Sequence, residues 1–349
     1  MAYTDIDKPS DYFNTVLHSG DNSSPEPISG FGFQPDWIWT KCRTAAYDHS
    51  ISDSVRGANK TIRSNNTSAE VSNDVYGNLT AFNSDGFTAT TGSSSINYYN
   101  QSGQTYVNWG WKAGTSFTND ASATGIGSID SAGSVNQDAG FSIVSFTGGG
   151  ANATIKHGLT SKPSMIIVKA RGQASTWSVY HASLGATKFL RLNGTDSVGT
   201  EAGWWNNTEP TSSVFSIGTN YYANTHIAYC FAEKQGYSKF GSYTGNGNAD
   251  GAFVYTGFKP AFIIQKESGN TRDWTMIDNK RSPFNEADDR LVPNTNTAEV
   301  TNNITDLLSN GFKMRNSQSN TNGSGGTYIY MAFASNPFVT STGVPATAR

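Results

Sequence analysis

Six aromatic residues stand beside amides in a way that suits recognition of a sugar. The loops ahead of two related strands carry Asn97-Tyr98-Tyr99 and Asn220-Tyr221-Tyr222, and Trp204-Trp205 lies upstream of the second. Sugar rings stack on aromatic faces while Asn and Gln bond the hydroxyls, so Tyr98, Tyr99, Trp204, Trp205, Tyr221 and Tyr222 are candidate glycan-binding residues. Packing against a neighbouring subunit or copy is the other reading of the same side chains. A second candidate is the lysine that recurs as Lys41, Lys169 and Lys266 at the end of one strand. It reads either as a repeated anion or partner contact or as an edge-strand charge that blocks unwanted pairing. The best acidic cluster is Glu286, Asp288 and Asp289, in a four-residue insertion of the last third of the chain. Its readings are a solvated loop, a divalent-ion site and a carboxyl pair for glycoside hydrolysis.

Nothing else has the spacing that catalysis requires. The chain lacks a Gly-x-Ser-x-Gly elbow, HExxH, CxxC and a phosphate-binding glycine loop, so acyl and phosphoryl transfer drop out and no catalytic residue, metal or cofactor is expected. Histidines mostly take the place of other residues at corresponding positions: His18 of Phe146 and Tyr243, His49 of Trp177 and Trp274, His181 of Asp53 and Asp278, His226 of Tyr106 and Tyr328. They read as packing or surface groups. Cys42 and Cys230 sit at different positions of their segments and read as free, packed thiols.

Composition bounds the remaining classes. Charged residues are 15% and apolar ones 36%, the difference being made up by Ser, Thr, Asn and Gly, which gives a polar but weakly charged surface. With 36 Gly and 12% aromatics, many short strands joined by tight turns are expected. A net charge of −3 with scattered basic residues argues against nucleic acid as a partner. No apolar run is long enough to span a membrane, and Met1 to Phe13 lacks the regions of a signal peptide, so synthesis in a cytoplasm is expected.

The elements that must position these residues emerge when the chain is laid on itself. Pro35-Asp36-Trp37-Ile38-Trp39-Thr40-Lys41 lines up with Pro163 to Lys169 and with Pro260 to Lys266, at offsets of 128 and 97 residues. Those offsets persist: Phe13, Val16 and Gly20 match Phe141, Val144 and Gly148, Arg63 matches Arg191, Trp177 matches Trp274, and Phe87 matches Phe215 and Phe312. Each copy closes on a strand that alternates large and small residues: Val107, Trp109 and Trp111, then Ile227, Tyr229 and Phe231, then Ile329, Met331 and Phe333 on the large face. Such a strand suits packing against a facing sheet on one side and something closer on the other.

The expected fold is all-β: three tandem antiparallel β-sandwich repeats of about 95 residues, jelly-roll or lectin-like in topology. In the second copy strands are expected near 141–147, 153–157, 164–171, 176–181, 188–193, 213–217 and 226–232. The copies run 12–111, 138–234 and 235–336, the second and third in rigid contact. A Ser/Thr/Gly-rich linker at 112–137 separates the first two and reads as flexible or draped. Residues 1–11 and 337–349 read as terminal segments, anchors to a neighbour or frayed ends.

The motifs KPSDYFNTVLHSG and GFQPDWIWTK near the start resemble an uncharacterised repeat family of virion-associated proteins in marine tailed phages, of the cyanophage and pelagiphage kind. So do the joint IAYCFAEKQGYSKFGSYTGNGNADGAFVYTGFKPAF and the closing YIYMAFASNPF with GVPATAR. The resemblance covers nearly the whole chain. It implies a non-enzymatic virion structural protein on the particle exterior, a capsid decoration or tail-attached knob or fibre component, with other capsid or tail proteins as partners. It carries no catalytic residues over. A host-glycan receptor-binding module is the alternative, and a polysaccharide depolymerase a more distant one. The chain lacks the heptads of a trimerising fibre shaft, and three copies in one chain instead mimic a trimer internally.

Overall fold

The computed structural model describes residues 2–345. Its architecture is all-β and antiparallel, with only one-turn helices at Ala121–Thr124 and Ala202–Trp205 and a 3-10 turn at Pro9–Asp11. Runs rich in β-branched and aromatic residues form the strands. Trp37–Cys42 and Met165–Ala170 are buried on both faces, which explains why their sequences, WIWTKC and MIIVKA, do not alternate apolar with polar residues.

Each of the three segments contributes one inner sheet with the same strand order. In the first, Phe13–Ser19 pairs with Thr105–Trp111, which pairs with Trp37–Cys42, which pairs with Ser50–Asp53. The second follows the same path through Phe141–Gly148, Asn224–Phe231, Met165–Ala170 and Ser178–His181. The third runs through Ser238–Thr244, Thr327–Pro337, Phe258–Glu267 and Trp274–Asp278. An outer sheet faces each, for example Ala153–Lys156 paired with Val214–Ile217 in the second segment. All seven strands expected there are present, within two or three residues of the expected ends.

Two faces of each inner sheet serve two different cores. The small face lines a core inside its own segment, where Ala228 and Cys230 meet Ile155, Phe215 and Ile217. At Gly110 the outer layer approaches so closely that a Cβ would stand 2.5 Å from the Phe31 ring, so only glycine fits. The large face of all three sheets enters one shared core at the centre of the molecule. Trp37 stacks on Tyr229 at 4.6 Å, Phe13 on Phe333 at 5.3 Å, and Trp111 meets Phe262 edge-on at 5.7 Å. The alternating residues therefore face other segments, not the facing sheet of their own.

Two expectations are corrected. Residues 112–137 are not a flexible linker: Thr115–Asn119 and Ser131–Asn136 extend the second inner sheet by two strands, joined by the short helix that Asp120 caps. Small residues suit this edge because the backbones close in, and a Cβ on Gly133 would lie 2.0 Å from the Ile143 carbonyl. Nor are the described parts of the ends free anchors. The Tyr3 hydroxyl donates to the Gly257 carbonyl at 2.6 Å, Thr4 donates to Gln235 at 2.7 Å, Ile6 joins the shared core, and the Ser341 amide donates to Asp7 at 2.6 Å. Of the terminal segments, residues 1 and 346–349 lie outside the described residues.

Because Phe141, Met165, Ile167, Trp177, Tyr229 and Phe231 turn toward the core shared with the other segments, residues 114–234 expressed alone are expected to self-associate. The intact chain is expected to unfold in one calorimetric transition with matching calorimetric and van't Hoff enthalpies. A monomeric, cooperatively folded 114–234 by sedimentation would contradict this.

Candidate functional site

The repeated lysines are not edge charges. Lys41, Lys169 and Lys266 lie on inner strands flanked on both sides and are fully buried, each ammonium bonded to carbonyls of the following loop. Two of them also cross a segment boundary, Lys169 to the Thr67 carbonyl at 3.1 Å and Lys41 to the Asn296 carbonyl at 3.2 Å. Burial lowers all three to about 8. They clasp loops together and present nothing to an outside anion.

Other contacts recur at the same boundaries. The Trp177 indole donates to the Arg63 carbonyl and that of Trp274 to the Arg191 carbonyl, both at 2.9 Å; the His49 imidazole lies 3.1 Å from the Val292 carbonyl. Two boundaries also hold buried ion pairs. Asp53 binds Arg56 at 2.5 Å and accepts from Tyr229, while Glu70 chelates Arg171. Asp278 binds Arg281 at 2.5 Å and accepts from Trp109, while Glu299 chelates Arg43. The boundary between the second and third segments is neutral, with His181 against the Tyr330 carbonyl and Leu184 and Val198 in place of Arg and Glu.

The six aromatic candidates divide into three groups. Tyr99, Tyr221 and Trp205 are core residues, with the Tyr99 hydroxyl 3.3 Å from Thr61 and that of Tyr221 2.7 Å from Ser178. The expectation that they were exposed overlooked how much of an aromatic ring a thin sandwich needs to fill its end. Nor do the two Asn-Tyr-Tyr runs occupy matching places: the loop carbonyl against Gly20 belongs to Gln101, whereas Tyr221 and Tyr222 lie against Gly148. Tyr98 is half-buried, its ring stacked on Tyr76 at 4.6 Å and on Tyr47 at 5.3 Å, with the Arg63 guanidinium 5.6 Å away.

Trp204 and Tyr222 stand beside a cavity that the buried Tyr221 also lines. A pocket of about 350 Å³ in the second segment is lined by Val168, Ala170, Gln173, Ser175, Trp204, Asn220, Tyr222 and His226, among others. Trp204 is set by the Glu201 carboxylate, which accepts from its indole at 3.1 Å and from Asn220 at 2.9 Å. Tyr222 is 61% exposed. His226 stacks on Phe146 at 5.2 Å across the strand pair, and burial lowers it to about 4, so it is neutral at pH 7. Sequence reasoning missed this histidine as a site residue because it matched tyrosines and read as packing.

The acidic cluster does not converge on a point. Glu286 lies 3.4 Å from Arg315, Asp289 lies 3.6 Å from Arg43 and accepts from Thr301, and Asp288 meets Ser282. Among the described residues no three His, Cys, Asp or Glu side chains are grouped as a metal site. Cys42 and Cys230 are buried and unbridged. No helix among the described residues is long and apolar enough to cross a membrane.

One family model, that of a domain of unknown function (DUF7483), matches residues 8–337, spanning all three segments as a single unit. The chain belongs to the DUF7483 family. No curated protein matches it. The extent of the DUF7483 match agrees with the shared core: the unit that the family describes is the whole assembly, not one sandwich.

Two expectations follow for this assembly. Burial lowers His157, His181 and His226 to about 4 and shifts His18 and His49 in the same direction, so between about 6.5 and about 4 the unfolded chain takes up protons that the folded chain refuses. Stability, full above that window, is expected to fall as pH drops through it, by up to about 1.4 kcal/mol per pH unit for each fully shifted histidine. Urea midpoints between pH 7.5 and 4.5 check this, and a flat profile contradicts it. Asp278→Ala, which leaves Arg281 and the Trp109 indole buried without their partner, is expected to cost about 3–5 kcal/mol. Asp278→His with Arg281→Leu, copying the neutral boundary, is expected to recover part of that loss in the same urea titration.

Proposed function

We propose that the chain is three copies of one jelly-roll- or lectin-like sandwich fused into an internal trimer. We further propose that it serves as a non-enzymatic structural protein on the exterior of a tailed-phage virion, as a capsid decoration or tail-attached knob, made in the host cytoplasm and held by other virion proteins. The observation that carries this reading is the single core shared by the three inner sheets. A body whose segments meet through aromatic packing and buried carbonyl clasps resists partial opening, as an exposed particle component must. The sequence resemblance supplies the location, and the weakly charged polar surface suits permanent display.

A second reading, recognition of a host glycan, is favoured by the aromatic and amide lining of the second-segment pocket. That lining carries no pair of carboxylates of the kind that glycoside hydrolysis uses.

Mass spectrometry and cryo-EM of gradient-purified particles test the first reading. The chain is expected at stoichiometric copy number on the particle surface, and its absence from mature particles would overturn the proposal.

A further inference from the structure

One position distinguishes the second segment from its neighbours. In each inner sheet, an aromatic pair stacks across the first and last strands with rings 12° from parallel: His18 on Tyr106, Phe146 on His226, Tyr243 on Tyr328. In the first and third segments the last-strand member is a tyrosine whose hydroxyl ties down the loop above it. Tyr106 donates to the Asn97 carbonyl and accepts from the Gln101 amide, both at 2.8 Å; Tyr328 donates to Ser319 and accepts from Gly323, both at 2.7 Å. In the second segment this member is His226, which is too short to make the tie. It is 3% exposed, it lines the pocket, and its Nδ1 has no hydrogen-bond partner among the described residues.

The first segment shows what the same place holds when it is filled. Tyr47 and Tyr76 correspond to Ser175 and Trp204 at the 128-residue offset, and the Tyr98 ring is stacked on both. In the second segment, Ser175 and Trp204 instead line the pocket. The protein's own Tyr98 thus marks the space for one six-membered ring.

We propose that the second-segment pocket binds one neutral hexose unit of a glycan, stacked on Trp204 and bonded through its hydroxyls to Gln173, Ser175, Asn220 and His226. The lining sets the rings of Trp204, Tyr221 and Tyr222 beside the amide and hydroxyl groups of Gln173, Ser175 and Asn220, which fits a sugar, with its apolar face and polar edges. The lining side chains include no Asp, Glu, Lys or Arg, so a carboxylated or aminated sugar would bury its charge uncompensated. The volume lies at the small end of the range for ligand pockets, about 300–1,000 Å³, which suits one unit rather than an oligosaccharide. The site occurs once per chain, because Tyr106 and Tyr328 close the corresponding loops of the other segments. This names the sugar class and the site for the glycan reading and rests on that reading alone, independent of placement on a virion.

The test uses the intact purified chain, with methyl glycosides of glucose, galactose and mannose as probes, followed by saturation-transfer NMR and tryptophan fluorescence. Saturable binding of one site per chain is expected for at least one glycoside. Trp204→Ala and His226→Tyr are each expected to weaken it about tenfold or more, while Tyr255→Ala, on an exposed strand of the third segment, leaves it unchanged. His226→Tyr places in the second segment the residue that the other two carry, so its folding is expected to match that of the wild type by circular dichroism. Failure of all three glycosides to saturate overturns the proposal, as does binding indifferent to Trp204→Ala and His226→Tyr, or a pocket that takes phenol but no sugar. None of these results bears on whether the chain is found in particles.

Discussion

Large apolar side chains from three inner sheets converge on one core, and the rest of the molecule follows from keeping that core dry. Trp37, Trp39, Trp109 and Trp111 of the first segment meet Tyr229 and Phe231 of the second and Phe262 and Phe333 of the third. Buried rings of this size contribute roughly 2–3 kcal/mol each through the area they remove from water, so the contact between segments is worth as much as the core within any one of them. For the closing strands the ordinary arrangement, in which a sandwich keeps its large residues for its own interior, is reversed, while other strands still fill that interior with side chains such as Phe146, Tyr180 and Phe215. That reversal explains why the facing side of each last strand is built from Gly110, Ala228, Cys230, Ala332 and similar small residues.

A core closed on three sides leaves the polar backbone at its rim in need of partners. The buried lysines, the tryptophan and histidine donors and the Arg–carboxylate chelates supply them at corresponding places around the centre. Their chemistry differs from boundary to boundary while the geometry persists. Two boundaries use Asp, Arg and Glu, and the third uses His181 with apolar neighbours. Buried ion pairs and apolar packing are comparable in net stability when each is complete, which is why such an exchange is tolerated.

Freed from maintaining the scaffold, the outward ends of the segments have diverged. Tyr98 occupies its own stack in the first, Tyr328 ties its loop in the third, and the second keeps a pocket between Trp204 and the His226 strand. A stable frame with one altered position is a common route to a new site, because the altered residue costs little where the surrounding sheet is already held.

The sequence by itself determined the β class, the strand positions of the second segment, the corresponding registers of Pro35, Pro163 and Pro260, and the large-face residues of each closing strand, because period-two alternation and tight-turn chemistry are local. It also carried the lysine recurrence, but not its meaning: an ammonium on a strand end looks the same whether it faces water or a ring of carbonyls. Only the tertiary structure decided that the large faces turn toward other segments, that 112–137 becomes two strands, and that Tyr99, Tyr221 and Trp205 are interior while Tyr222 is not. Each of these depends on which surface meets which across more than a hundred residues of chain, and burial of that kind leaves no periodic mark. His226 is the clearest case. As a letter it matched two tyrosines, and its consequence, a hydroxyl missing from one loop and a cavity in its place, exists only in three dimensions.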